Sequence, residues 1–163
     1  MGTGSGLNAY LREQRGKCFD LGKHDCFTFT NGGWRAMHGE GYADDIIGKY
    51  AWLGPKGLKA LMRDTYGGET LPECFDLHLT RVDGFPPRGA LVYSKNVGRW
   101  IVGVALGIAC GPRCAFLGDQ DVVYIPTDEI DGAWVRSKAT LHTMFCAIVT
   151  GKSHRVIHLL LGA

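Results

Sequence analysis

"LGKHDCFTFTNGGW", residues 21–34, carries both a helix start and a cysteine. Asp25 is a good N-cap residue, so a helix begins at Cys26 and runs to about Met37, with Gly39 as its stop. Two sets of residues could supply its buried stripe, Phe27, Thr30 and Trp34, or Cys26, Phe29, Gly33 and Met37. Gly32 and Gly33 each weaken a helix by about 1 kcal/mol relative to Ala, a cost that makes sense if another backbone packs closely there. Cys26 then sits in the first helical turn, where unpaired backbone N–H groups favour a thiolate and lower its pKa. A thiol so placed has three readings: a nucleophile, a metal ligand, or a small apolar residue plugging the helix end.

Upstream of this stretch, Leu7, Tyr10 and Leu11 share one helical face, which predicts a short opening helix ending near Gly16. Downstream, Pro55 suits a first helical turn, and Leu58, Leu61, Met62 and Thr65 follow at helical spacing until Gly67 and Gly68. A polar, irregular stretch comes next. "FPPRGALVYS" then reads as a loop feeding a strand over 90–93. "RWIVGVALGIA" and "AFLG" flank the tight turn "CGPRC" as a hairpin, and "DVVYIP" adds a strand. "TDEIDGAW" reads as a short helical turn before the last sheet residues. Helices first and strands afterwards define an α+β fold, with N-terminal helices packed on a small antiparallel sheet.

Composition narrows the function classes. A chain of 163 residues, 45% hydrophobic and 21% charged, is one ordinary globular domain with enough length for a real core. A formal charge of +2, with basic residues spread singly along the chain, gives no signature of nucleic-acid binding. The start, "MGTGSGLNAY", has neither the basic nor the apolar region of a secretory signal, and no segment is long enough to span a bilayer. Without an export signal, the six cysteines read as free thiols rather than a disulfide scaffold. The 24 glycines, roughly twice the usual share, imply many turns and close backbone approaches.

The segment Phe19, Leu21, Gly22, His24, Asp25 and Cys26, followed by a helix, resembles the nucleophile segment of the NlpC-type cell-wall peptidases. These papain-like enzymes cut peptide or amide bonds in peptidoglycan. A narrower likeness is to a branch encoded by phages among tail genes. It rests on Pro87, Arg88 and Gly89, on Val102 through Gly107, on Ala115 and Phe116, and on Trp134. The resemblance covers roughly residues 7–136, and it implies a papain-like domain over 1–136 followed by an apolar C-terminal extension over 137–163. It also implies that Cys26 is the nucleophile. The family's general-base histidine, however, falls on Ile101, and its orienting polar residue falls near Leu117 or Gly118. The family's Gly-Asp pair is Gly89 and Ala90 in this chain. His24, two residues before Cys26, is the substitute base to consider, although hydrogen bonding to backbone around the turn is the simpler role for it. His38 reads as a surface residue.

The implied role is therefore a structural protein of a phage tail tip, made in the host bacterial cytoplasm and carried in the virion, with a degenerate hydrolase site. Its expected partners are other tail-tip or hub proteins and peptidoglycan, with no cofactor, no nucleic acid and no membrane span. The alternative is an active cysteine peptidase or amidase that opens the cell wall during genome delivery. A third reading takes Cys110 and Cys114, facing each other across the hairpin turn, as two metal ligands. A zinc or iron–sulfur site would need further thiols from Cys18, Cys26, Cys74 or Cys146 to converge on them. The apolar segments "HTMFCAIVTG" and "RVIHLLLGA" either pack on the core or meet a partner.

Overall fold

Asp25 organises the first layer. In a computed structural model, which describes residues 4–97 and 103–137, it is the N-cap of α2 (Cys26–His38). Its carboxylate accepts from the N–H groups of Phe27 (3.0 Å) and Thr28 (2.9 Å), and the Thr28 hydroxyl accepts from the Asp25 N–H (2.8 Å). That reciprocal capping box satisfies donors the helix itself cannot. Gly39, at φ 85°, closes the other end in the left-handed region. α1 (Gly4–Glu13) packs across α2, and α2 lies on the sheet. The buried side of α2 draws on both predicted stripes: Cys26, Phe29, Thr30, Asn31, Gly33 and Trp34. The glycine pair does meet close neighbours, but they are side chains rather than backbone. A Cβ on Gly33 would stand 1.9 Å from Ile108 Cδ1, and one on Gly32 would stand 2.5 Å from the Tyr10 hydroxyl.

α3 (Gly54–Leu61) carries Pro55 in its first turn and runs into a π-helical turn, Met62–Tyr66, that Gly67 ends at φ 77°. The stretch read as polar and irregular contains a further helix, α4 (Leu71–His78), and the short strand β1 (Thr80–Arg81). Thr70 caps α4 through the Glu73 N–H (3.3 Å), and Pro72 occupies its first turn, where the missing N–H costs nothing.

The remaining strands are β2 (Leu91–Ser94), β3 (Ala105–Ala109), β4 (Arg113–Leu117), β5 (Val122–Pro126) and β6 (Gly132–Val135). A 3-10 turn over Thr127–Glu129 precedes β6. All six strands form one antiparallel sheet in the order β1-β6-β2-β3-β4-β5. The α+β architecture is thus as the sequence implies. Alternation along the strands gives the sheet two faces. Leu91, Tyr93, Leu106, Ile108, Ala115, Leu117 and Trp134 meet the helices, whereas Val92, Ala105, Ala109, Cys114, Phe116 and Ala133 form a cluster on the opposite face.

Trp134 is the central residue of the helix-side core. It is fully buried, stacks on Tyr93 at 5.1 Å and packs against Phe75 at 5.2 Å. Its indole N–H donates to Asp76 at 2.7 Å, and the Arg81 guanidinium lies over its ring. One residue thus joins β6, β2, α4 and β1. Ile101, Cys146, the remaining histidines and residues 138–163 of the C-terminal extension lie outside the described residues.

Candidate functional site

Cys26 opens α2 and faces β3, so its surroundings come from both layers. It belongs to the cluster of Trp34, Phe75, Leu91, Tyr93, Val104, Leu106 and Trp134, and it is 8% exposed. Burial pushes the thiol up to about 12 from an ordinary value near 9, and the neighbouring Asp25 carboxylate adds to the rise. Hydrogen bonds from backbone at Leu106, Cys26 and Phe27 pull the other way and lose. This corrects the expectation that the helix start would favour a thiolate. A helix N-terminus contributes a fraction of a charge, which does not offset withdrawal of the sulfur from water.

The three described imidazoles are each engaged away from the sulfur. His24 directs Nδ1 to the Cys18 carbonyl (3.0 Å) and Nε2 to the Gln14 side-chain oxygen (3.0 Å), which ties the loop before α2 to the end of α1. His38 packs on Trp34 at 4.8 Å. His78 approaches the Tyr66 carbonyl through Nε2 (3.1 Å) and packs edge-on against the Tyr66 ring. Leu117 is buried beneath the helices, and Gly118 begins the β4–β5 turn by donating to the Asp121 carbonyl.

Asp25 does more than cap. It is 2% exposed, and besides the two α2 amides it accepts from the Gly22 N–H (2.7 Å) and from the Tyr50 hydroxyl (2.6 and 2.5 Å). The carboxylate therefore pins the 39–53 loop against the start of α2. Asn31 and Asp44 hold the same loop from further along. The Asn31 amide donates to Asp44 (2.7 Å), the Asn31 oxygen accepts from the Ala43 N–H (2.8 Å), and Arg35 pairs with Asp44 at 2.5 Å. Nothing local in the sequence announces this clamp, because its donors lie up to 25 residues from Asp25.

These elements enclose a cavity of about 340 Å³ between the start of α2, the 39–53 loop, α3 and α4. Its walls are mainly apolar, with Leu21, Phe27, Ile46, Leu61, Leu71 and Leu79 among them, and Cys26 lines it from the start of α2. Most polar groups on the wall are turned to internal partners: Asp25 and Tyr50 to each other, His78 to Tyr66, and Cys74 Sγ to the Met62 and Gly68 carbonyls. Asp45 is the other charged group on the wall. The space accepts apolar groups and offers little to a polar sugar or peptide backbone.

Cys110 and Cys114 do not come together as a ligand pair. Ala109 is the register partner of Cys114, and the Cys110 N–H donates to the Arg113 carbonyl, so the two thiols fall on opposite faces of the sheet. Cys110 packs with the helix-side cluster, whereas Cys114 is in the opposite cluster with its sulfur 3.5 Å from the Thr127 hydroxyl. Among the described residues, no three His, Cys, Asp or Glu side chains are grouped to hold a metal ion. No helix among them is long and apolar enough to cross a membrane.

Fold and site together define an α+β domain in which a helical layer covers a six-stranded antiparallel sheet and a buried thiol at a helix start lines an apolar cavity. The chain belongs to the family described as a domain of unknown function (DUF6950), which matches residues 4–135. Neither a curated protein nor a solved structure matches it.

Proposed function

We propose that this chain is a structural protein of a phage tail tip, built on a papain-like domain of NlpC type whose hydrolase site is degenerate. The observation that carries the loss of catalysis is the state of Cys26. Its sulfur is buried, is held protonated up to about pH 12, and faces Leu106 on the side of the sheet. A cysteine hydrolase needs a thiolate and an oriented base that returns the proton to the leaving group, and general base catalysis alone contributes about 100- to 10,000-fold. Each described histidine has other work. The tail setting rests on the likeness of the four sequence segments to phage-encoded proteins. On this reading the protein is made in the bacterial cytoplasm, is carried in the virion and contacts tail-tip or hub proteins.

The test is to purify virions, separate the tails and probe them for this protein. It is expected in the tail fraction, and its absence from finished particles overturns the reading. The second reading, an active peptidase or amidase acting on peptidoglycan, is favoured by one observation: Cys26 opens a helix and borders a cavity large enough for a side chain. It requires muropeptide release that disappears in Cys26→Ala. The structural reading expects no release from either form.

A further inference from the structure

Four arginines that are far apart in the sequence share one cleft. Arg12 comes from the last turn of α1, Arg15 from the turn after it, Arg88 from the Pro-Arg-Gly turn before β2, and Arg113 from the start of β4. They line a surface cleft of about 420 Å³ together with Asn8 and Tyr124. Among the described residues, Arg88 is the one of the four tied down by side-chain hydrogen bonds. It donates to the Cys110 carbonyl and to the Asn8 side-chain oxygen, each at 2.5 Å, which fixes its guanidinium against the wall. Among the described residues, Arg12, Arg15 and Arg113 form no salt bridge. The carboxylate that feels Arg15 is Asp121, and its Oδ1 already accepts from the Gly16 and Val122 amides.

The dipole of α1 accounts for a cation in its last turn, so Arg12 alone would mean nothing. It does not account for Arg88 and Arg113, which arrive from the sheet. A chain of formal charge +2 has gathered four positive groups in one concavity, where they repel one another until something negative enters. Guanidinium forks recognise carboxylates and phosphates alike. A carboxylate presents two oxygens in one plane, whereas a phosphate presents oxygens tetrahedrally. Arginines from α1, the Pro-Arg-Gly turn and β4 line one cleft, and a tetrahedral phosphate can take guanidinium forks from several sides. We propose that this cleft binds a multiply charged, phosphate-bearing anion through Arg12, Arg15 and Arg113, with Arg88 as its fixed wall. The site is separate from the Cys26 cavity and does not depend on how that cavity is read.

The experiment is isothermal titration of the full chain with tripolyphosphate, a short oligothymidylate and citrate at one ionic strength. The expected result is saturable binding of a phosphate ligand, weakened about tenfold or more by Arg12→Ala with Arg113→Ala, two exposed positions, and unchanged by Arg63→Ala outside the cleft. Tighter binding of tripolyphosphate assigns the site to free phosphates. Tighter binding of the oligonucleotide, with the same arginine dependence and a steep fall with salt, assigns it to a nucleic-acid backbone. Either outcome supports the proposal. It is overturned if neither ligand binds, if the double variant binds as well as the parent, or if citrate binds as tightly as tripolyphosphate.

Discussion

Trp134→Ala is expected to lower the stability of the fold by about 3–5 kcal/mol, read as a fall in the urea midpoint with little change of slope. The indole is fully buried, so truncation leaves a cavity that its neighbours cannot all collapse to fill. It also removes the stacking on Tyr93, the contact with Phe75 and the cation over the ring. Asp76 loses the indole donor but keeps Arg81, which limits that part of the loss. Trp134→Phe preserves most of the apolar volume and forfeits the N–H, and it should cost about 1–2 kcal/mol. Because Trp134 ties β1, β2 and β6 to α4, the Ala variant should also weaken amide-exchange protection across those elements together. A loss below about 1 kcal/mol would mean that this cluster is not the centre of the core.

Asp25→Ala carries the other large effect, about 3–5 kcal/mol. Loss of an N-cap alone costs about 0.5–2 kcal/mol. The remainder comes from the Tyr50 hydroxyl and the Gly22 amide, which lose their acceptor in a buried place. Asp25→Asn should retain part of the cap, because one side-chain oxygen still accepts from Phe27 and Thr28. Its amide then meets the Gly22 donor, so roughly half of the loss remains. The two substitutions are separable from a simple capping defect by proteolysis. Releasing Tyr50 frees the 39–53 loop, so cleavage in that loop should accelerate more than cleavage within α2.

How much of this was legible in the sequence follows from the range of each interaction. α2 could be read almost to the residue because Asp25, Thr28 and Gly39 act on backbone within a few positions of themselves. The hairpin of β3 and β4 was visible for the same reason, around its Gly-Pro turn. α4 was missed although Thr70, Pro72 and Glu73 supply its capping chemistry, since eight residues with only Cys74 and Phe75 buried show no clear periodicity. Of the three readings of Cys26, the small residue plugging the helix end fits its burial against Leu106 and Trp134, whereas the thiolate that a helix start favours does not, because that field is local in the sequence and burial is not. The same holds for Cys110 and Cys114. Their spacing suggests proximity, and the pleat of the strands separates them. The arginine cleft is the extreme case, assembled from residues as far apart as 12 and 113, each isolated in the chain.

The ionisation of Cys26 in the folded protein separates a core thiol from a nucleophile. Alkylation by iodoacetamide, followed across pH and assigned to Cys26 by peptide mass spectrometry, distinguishes it from the exposed Cys18. Slow modification is expected, with no inflection through pH 9 and a midpoint near the value of about 12 that burial imposes. Fast modification with a midpoint below about pH 7, as an activated thiolate gives, would contradict a core thiol.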